Sequence, residues 1–459
     1  MLYGFLLAAL VIADVWRLPW QLTDNASYLL RMSQAPLSEL LARDLQPGQY
    51  FRPLHFATGK LLYDLTGEPA LWVFKLFHSA QLVTLVILFG RLLSVDNAGQ
   101  AAMACLGYTI LFGLHTFAAL VVETYPVNSG LSVGVLALAV ANLARSRPAP
   151  WKGALAVALL VYAALAVEVG LLLWVVIAAG YLARWPGITR SWAIGSAGVV
   201  ALYFVGRFLL IQGSLPDLQE RDVGWGFRVL TPTELQAMLG ERRLMFYAYN
   251  VISTVLSIVI SEPRNGVFLL VRGLVSDELA PWVALNVVTS AATSVLIVWT
   301  VMRMWPRWQP ASWTDSERLV LVSAAVILAN TAFAFSYTRD RIVTTAGIYY
   351  GLASAVALRE LVIVRWTPRV AAALATVVFA LGLGWSVRFA GLHWNLEVAA
   401  WRQQNDWIEG VEFLREQGVI ANATDEAFIK RLQDEALAAP VRVSVFPLSR
   451  YEVWFDRNN

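Results

Sequence analysis

The stretch GALAVALLVYAALAVEVGLLLWVVIAAGYLA, Gly153–Ala183, carries a single charged residue, Glu168, in an otherwise apolar run. An apolar run of roughly 18 or more residues reads as a membrane span. This one is long for a single helix and short for two full ones. Its flanks decide between them. Arg145, Arg147 and Lys152 precede it, and Arg184 and Arg190 follow it. Short arginine-rich connections mark the cytoplasmic side of a membrane protein. With both flanks on one side, the run crosses twice or not at all. A tight hairpin of short helices, its tip near Glu168 at the outer face, satisfies both constraints.

The same rule extends along the chain. Arg91, the group Arg303, Arg307 and Arg318, and the group Arg359, Arg365 and Arg369 mark further cytoplasmic connections. An even number of crossings must separate each pair. The expected fold is therefore an all-α polytopic membrane protein with about eleven transmembrane helices of twenty residues or fewer. The N-terminus is cytoplasmic and the C-terminus periplasmic or exterior. Residues 1–388 form the membrane domain, with outer loops at 17–69 and 212–280. Within the second loop, Leu244 to Ile260 is re-entrant, interfacial, or paired with a second dip near Val267–Leu274. The polar tail, 389–459, is expected as a small external α+β domain. Its helices are Glu397–Gln417 and Asp425–Leu437, and its strand-like ends are Val441–Val445 and Tyr451–Phe455.

Composition agrees with this reading. Of 459 residues, 58% are hydrophobic and 15% charged, against about 25% charged in a soluble domain. The 19 Trp residues often stand at run ends, as Trp16, Trp20, Trp72 and Trp185 do, which suits the membrane–water interface. The net charge of +3 is small, and no basic cluster with interleaved aromatics suggests nucleic acid. The one cysteine, Cys105, excludes an intramolecular disulfide. One Cys and four His argue against a His/Cys metal centre. The first apolar segment lacks a basic leader and a clear cleavage site, so it is read as a retained helix. No repeat of fixed period is evident.

The first outer loop carries the most chemistry. Thr23-Asp24-Asn25 follows the first span. An amphipathic stretch runs from Ser27 to Leu41, then comes Tyr50-Phe51-Arg52-Pro53-Leu54-His55, and the second span begins near Ala70. Asp24, just past a membrane boundary, is placed to act as a general base on an acceptor proton, or to cap the helix that follows. Arg52 can bind a phosphate through its fork of donors, or snorkel to lipid headgroups. Tyr50 and His55 flank it as further cleft candidates. A charge such as Glu168 is costly at membrane depth and is usually functional or paired, here with an arginine of an outer loop. Tyr337-Thr338-Arg339-Asp340-Arg341 forms a short outer turn. Its two arginines call for a partner, either a lipid phosphate or an internal carboxylate. Glu123 lies at another outer boundary, as a second cleft carboxylate or a solvated loop residue. His115, in the third span, is expected to be packed and hydrogen-bonded.

In order and on a common side, these motifs resemble the GT-C superfamily of membrane glycosyltransferases. That group includes protein O-mannosyltransferases and the aminoarabinose transferase of lipid A. The family pattern opens with one helix and an acidic residue in the next outer loop, matched by Asp24. An aromatic-Arg-Pro-Leu segment follows in many members, matched by Phe51-Arg52-Pro53-Leu54. A later hairpin carries a Lys-Glu-x-Gly-like signature, of which Val167-Glu168-Val169-Gly170 keeps the Glu and the Gly but not the Lys. A late basic outer turn looks like Tyr337–Arg341. The likeness covers most of residues 1–388, and the tail matches no particular member.

The resemblance implies transfer of a sugar from a polyprenyl-phosphate-linked donor to an acceptor hydroxyl, with inversion, on the outer face of a membrane such as a bacterial inner membrane. Asp24 is then the catalytic base, and Arg52, Arg339 and Arg341 bind the donor phosphate. The acceptor is a glycan, a lipid or a protein. Many relatives carry a second acidic residue where Asn25 stands, so no firm requirement for a divalent metal follows. Two other classes compete. An O-antigen-type polymerase or ligase relies on arginines and a His in a large late outer loop. Residues 212–280 supply Arg221, Arg228, Arg242 and Arg243 but no His. A lipid or small-molecule transporter or flippase often shows internal repeats and mid-membrane polar residues.

Overall fold

The computed structural model describes residues 1–47, 51–117, 129–211, 223–226, 228–261, 269–304, 313–336 and 342–441. The fold is all-α. Its helices in chain order are α1 (Leu2–Val15), α2 (Thr23–Gln34), α3 (Leu37–Arg43), α4 (Ala57–Thr66), α5 (Leu71–Leu92), α6 (Ala98–Gly113), α7 (Ser129–Arg145), α8 (Pro150–Ala166), α9 (Leu172–Leu182) and α10 (Arg190–Phe204). They continue as α11 (Pro232–Leu239), α12 (Arg243–Val259), α13 (Leu269–Ser276), α14 (Pro281–Met304), α15 (Asp315–Phe333), α16 (Thr344–Ile363), α17 (Pro368–Glu409), α18 (Val411–Glu416) and α19 (Ala423–Leu437). One short antiparallel pair, Val223–Trp225 with Arg228–Leu230, supplies the strands among the described residues.

Among the described residues, six helical segments are long and apolar enough to cross a membrane: Leu71–Leu92, Arg190–Leu210, Pro281–Met304, Asp315–Phe333, Thr344–Ile363 and Pro368–Ile408. Five shorter apolar helices accompany them. Leu202, Leu209, Val295 and Phe379 are about 70% exposed on the outward faces of these segments. An apolar surface of that extent disfavours water and fits a hydrocarbon surrounding, as in a membrane protein.

Local chemistry fixes where helices begin. The Thr314 hydroxyl accepts from the Glu317 amide, while the Glu317 carboxylate accepts from the Thr314 amide, a reciprocal cap that starts α15. Asn97 caps α6 through the Gln100 amide, and Pro368 opens α17, where a missing N–H costs nothing. The amphipathic stretch expected from Ser27 to Leu41 is divided at Ala35-Pro36 into α2 and α3, because Pro36 has no N–H to continue the first helix.

The basic connections gather at one end of the bundle. Arg145 donates to the backbone oxygens of Arg91 and Leu92, at 3.2 and 2.7 Å, and to Asp315 at 3.0 Å. Arg359 reaches the Ser94 carbonyl, and the Gly187 amide bonds the Ala144 carbonyl at 2.8 Å. Residues 153–183 form the expected hairpin: α8 and α9 join through a 3₁₀ turn, Glu168–Leu171. Gly170 makes that joint possible, since a methyl group there would overlap the Ala163 carbonyl.

The tail departs from the expected separate unit. The boundary at 388/389 falls inside one continuous helix, α17, of 42 residues, roughly 60 Å long at 1.5 Å per residue. Its far half shares a core with the first loop. Trp20, Leu29, Met32 and Phe74 pack with Trp407, Phe428 and Leu432. Trp407 Nε1 donates to the Trp20 carbonyl at 2.6 Å, and Trp20 Nε1 donates to Glu435 at 2.8 Å. The described tail is helical to Leu437. The strand-like segments lie outside the described residues beyond Val441. In the second loop, α12 occupies the Leu244–Ile260 stretch and inserts its C-terminal half among α14, α15 and α16, burying Ser253, Thr254, Ser257 and Ile258.

Candidate functional site

The hairpin tip is where predicted site residues meet. Val167 takes an extended conformation that ends α8, leaving the last carbonyls of that helix without intrahelical partners. The Phe51–Phe56 segment supplies them. The Leu54 amide donates to the Leu165 carbonyl at 3.0 Å, and His55 bonds the Ala166 backbone. The Thr58 and Tyr162 hydroxyls join α4 to α8. Phe51 sits at φ 54°, an uncommon conformation for a bulky residue. Its ring packs on Tyr203 at 5.4 Å and within 3.1 Å of where a methyl group on Gly206 would lie.

This docking brings Arg52 onto Glu168. Its Nε lies 2.8 Å and its Nη2 2.6 Å from Glu168 Oε2. The other carboxylate oxygen, Oε1, accepts from Arg207 Nη1 at 2.8 Å, and the same nitrogen donates to the Tyr203 hydroxyl at 3.0 Å. Arg207 lies in a π-helical turn, Val205–Leu210, that ends α10. Such turns are rare and frequent at functional sites. The Arg207 side chain is 6% exposed and that of Arg52 is 31% exposed. Two guanidinium groups thus hold one carboxylate, and the trio carries a net single positive charge. A guanidinium fork can grip tetrahedral oxygens in two-point fashion.

His55 sits beside this group. Burial, with the nearby Arg52 charge, pushes its imidazole down to about 4, against the Ala166 hydrogen bond and the Glu168 charge. It is therefore neutral at pH 7. Asp44, at the end of α3, is raised by burial, although Arg43 and Arg52 oppose the rise. Tyr28 stacks edge-on to His55 at 5.6 Å, so α2 comes up to the Arg52 segment.

Of the residues singled out in sequence, Arg52, His55 and Glu168 come together. Asp24 is the second residue of α2, and the cap position belongs to Leu22. The helix-cap reading of Asp24 is thereby corrected: the helix begins at Thr23, one residue before it. Position 24 is one turn before Tyr28, and the Asp24 side chain is outside the described residues. Tyr50, Glu123, Arg339, Arg341 and Arg221 also lie outside the described residues. His115 is buried, its Nε2 3.0 Å from the Ser257 hydroxyl, as a packed residue would be. Arg242 and Arg243 are exposed. Among the described residues no three His, Cys, Asp or Glu side chains come together as a metal site.

Arg207 and Tyr203 were not anticipated. The signal was present: Arg207 is the only charged residue between Arg190 and Asp217, the same isolation that drew attention to Glu168.

No protein-family model matches the chain, and no curated protein or solved structure matches it either.

Proposed function

We propose that this chain is a membrane glycosyltransferase of GT-C type that takes its sugar from a polyprenyl-phosphate-linked donor. The observation that carries the reading is the Arg52–Glu168–Arg207 cluster. It lies at the hairpin tip, away from the end where Arg145 and Arg359 gather. In this reading the six long and five shorter apolar helices make about eleven crossings of a bacterial inner membrane. The arginine-rich end is cytoplasmic, and the cluster and the tail are on the periplasmic side. The donor's lipid chain lies in the bilayer, and its phosphate meets Arg52 and Arg207, with Arg339 and Arg341 as further contacts.

Asp24 takes the proton of the acceptor hydroxyl, whose oxygen attacks the anomeric carbon from the face opposite the phosphate. The bond from that carbon to the phosphate oxygen breaks, and the electron pair leaves with the polyprenyl phosphate. Negative charge grows on the leaving phosphate, so fixed guanidinium groups around it stabilise the transition state more than the ground state. Glu168 keeps two like charges side by side in a dry setting where they would otherwise repel.

The test is binding of polyprenyl phosphate against uncharged polyprenol, to purified protein in nanodiscs, read by native mass spectrometry. The phosphate lipid should be retained and polyprenol lost, with retention falling in Arg207→Ala and Arg52→Ala. Equal retention of both lipids by the parent protein would sink the phosphate role.

A further inference from the structure

Helix α12 buries a polar stripe. Asn250, Ser253, Thr254 and Ser257 recur at the spacing of one helical face, and all four are at most 3% exposed. Leu244 and Ile252, on other faces, are 83% and 56% exposed. A water-facing helix buries its apolar stripe. This one buries a polar stripe between Phe246 and Ile258, which are also buried, and leaves Leu244 and Ile252 outside.

Several of those inward groups have nothing to bond. Asn250 Oδ1, Ser253 Oγ and Thr254 Oγ1 are buried with no hydrogen-bond partner among the described residues, and so are Thr116 Oγ1 and Thr345 Oγ1. Thr116 lies against Gly347 in the first turn of α16, where Thr345 is also buried. His115, next to Thr116, reaches Ser257 of the stripe. A buried hydroxyl without a partner keeps the full cost of leaving water. Three such atoms lie on the α12 stripe, and the other two lie where His115 and the first turn of α16 approach it; each calls for a hydrogen-bonding partner.

The stripe adjoins the arginine cluster. Phe333 packs on the group formed by Ala164, Leu171 and Tyr203. Two residues on, the Phe335 carbonyl accepts from Asn250 Nδ2 at 2.9 Å, and its ring meets Tyr247 at 5.1 Å. The 333–336 segment thus has the Glu168–Arg207 site on one side and the polar face of α12 on the other. The stripe itself carries hydroxyls and an amide and no charge.

We propose that the inward face of α12, with Thr116 and Thr345, is a subsite for an uncharged polyhydroxylated ring, the sugar carried by the donor. This deepens the proposed function and rests on it. Hydroxyls and an amide can each give and take hydrogen bonds with ring hydroxyls, and a site that leaves its own polar groups unpaired when the ring is missing discriminates strongly in favour of it. Arg52 and Arg207 then hold the phosphate, and α12 reads what the phosphate carries.

The experiment compares bare polyprenyl phosphate with a panel of polyprenyl-phosphate hexoses and pentoses, binding to full-length protein in nanodiscs. The parent should bind at least one sugar-linked lipid about tenfold or more tighter than the bare one. Thr254→Val, Ser253→Ala and Thr116→Val should erase that preference and leave bare-lipid affinity within about twofold. Thr254→Ser, which restores the hydroxyl, should keep it. Each alkyl variant removes an unsatisfied buried group, so it should melt at or above the parent temperature, which controls for folding. The proposal is overturned if no sugar-linked lipid exceeds the bare one, or if the preference survives all three alkyl variants, which is the outcome for hydroxyls that hold buried water only. Failure of the bare lipid to bind the parent is a different result and strikes the glycosyltransferase reading itself.

Discussion

Arg207 Nη1 and Glu168 Oε1 stand 2.8 Å apart although the two residues are 39 positions apart in sequence, and Arg52 closes on the other oxygen of the same carboxylate. A buried pair of this kind is costly to break from one side, because the remaining charge keeps its desolvation cost. Glu168→Gln should destabilise the protein by on the order of 3–5 kcal/mol, measured by thermal unfolding in detergent. The double variant Glu168→Gln with Arg207→Gln should recover part of the loss. A single variant as stable as the parent would show that the carboxylate does not hold the cluster together.

The Trp407–Trp20 contact ties the far end of α17 to the first loop. Both side chains are fully buried in the core that α2, α4 and α19 share. Trp407→Ala should cost about 3–5 kcal/mol and expose residues 17–69 to protease as well as the tail. If the tail alone becomes sensitive, the two segments do not form one cooperative layer.

His55 gives the stability a pH dependence with a definite sign. Its folded value is depressed to about 4 by burial and by Arg52, against about 6.5 in an unfolded chain. Between those values the unfolded chain binds a proton that the folded one refuses, so stability rises with pH across that window. Its contribution is fully present above the unfolded value, falls as pH drops through the interval, and levels off below the folded value. His55→Phe should flatten the slope of melting temperature against pH between about 4 and 6.5. An unchanged slope would place the titration elsewhere.

Much of this architecture was legible because membrane insertion leaves coarse marks. Long apolar runs and clustered arginines located the hairpin at Gly153–Ala183 and grouped the ends that Arg145 and Arg359 join. Glu168 was visible as an isolated charge, and Arg52 through its Phe51-Arg52-Pro53-Leu54 segment. Their pairing was only one alternative, since 116 residues separate them. Arg207 stands out by the same isolation, but nothing in the sequence shows that the π turn Val205–Leu210 aims it at Glu168. The tail was misjudged for a related reason. Polar composition from 389 onward marks an exit from the apolar layer, yet nothing in it shows that α17 continues unbroken, or that Trp407 seeks Trp20. The buried hydroxyl face of α12 was illegible because its composition alone reads as an ordinary apolar helix.

Asp24 as the catalytic base is the prediction with the widest separation between outcomes. The residue is second in α2, one turn before Tyr28, whose ring meets His55 of the arginine segment. A carboxylate in the first turn of a helix interacts favourably with the helix dipole, by about 0.3–1 kcal/mol at an exposed position. Asp24→Asn removes that charge and keeps the size, so a purely structural role predicts a loss of stability of that order and normal turnover. A base predicts a loss of turnover on the order of 10²–10⁴-fold, with melting and polyprenyl-phosphate binding nearly unchanged, because an amide cannot take the acceptor proton. Asp24→Glu separates the cases further. It restores the proton acceptor at a shifted position and should recover part of the rate, whereas a structural role leaves Glu and Asn alike near parent activity. Turnover in Asp24→Asn within about tenfold of the parent would remove Asp24 from the mechanism and make Glu123 the next carboxylate to substitute.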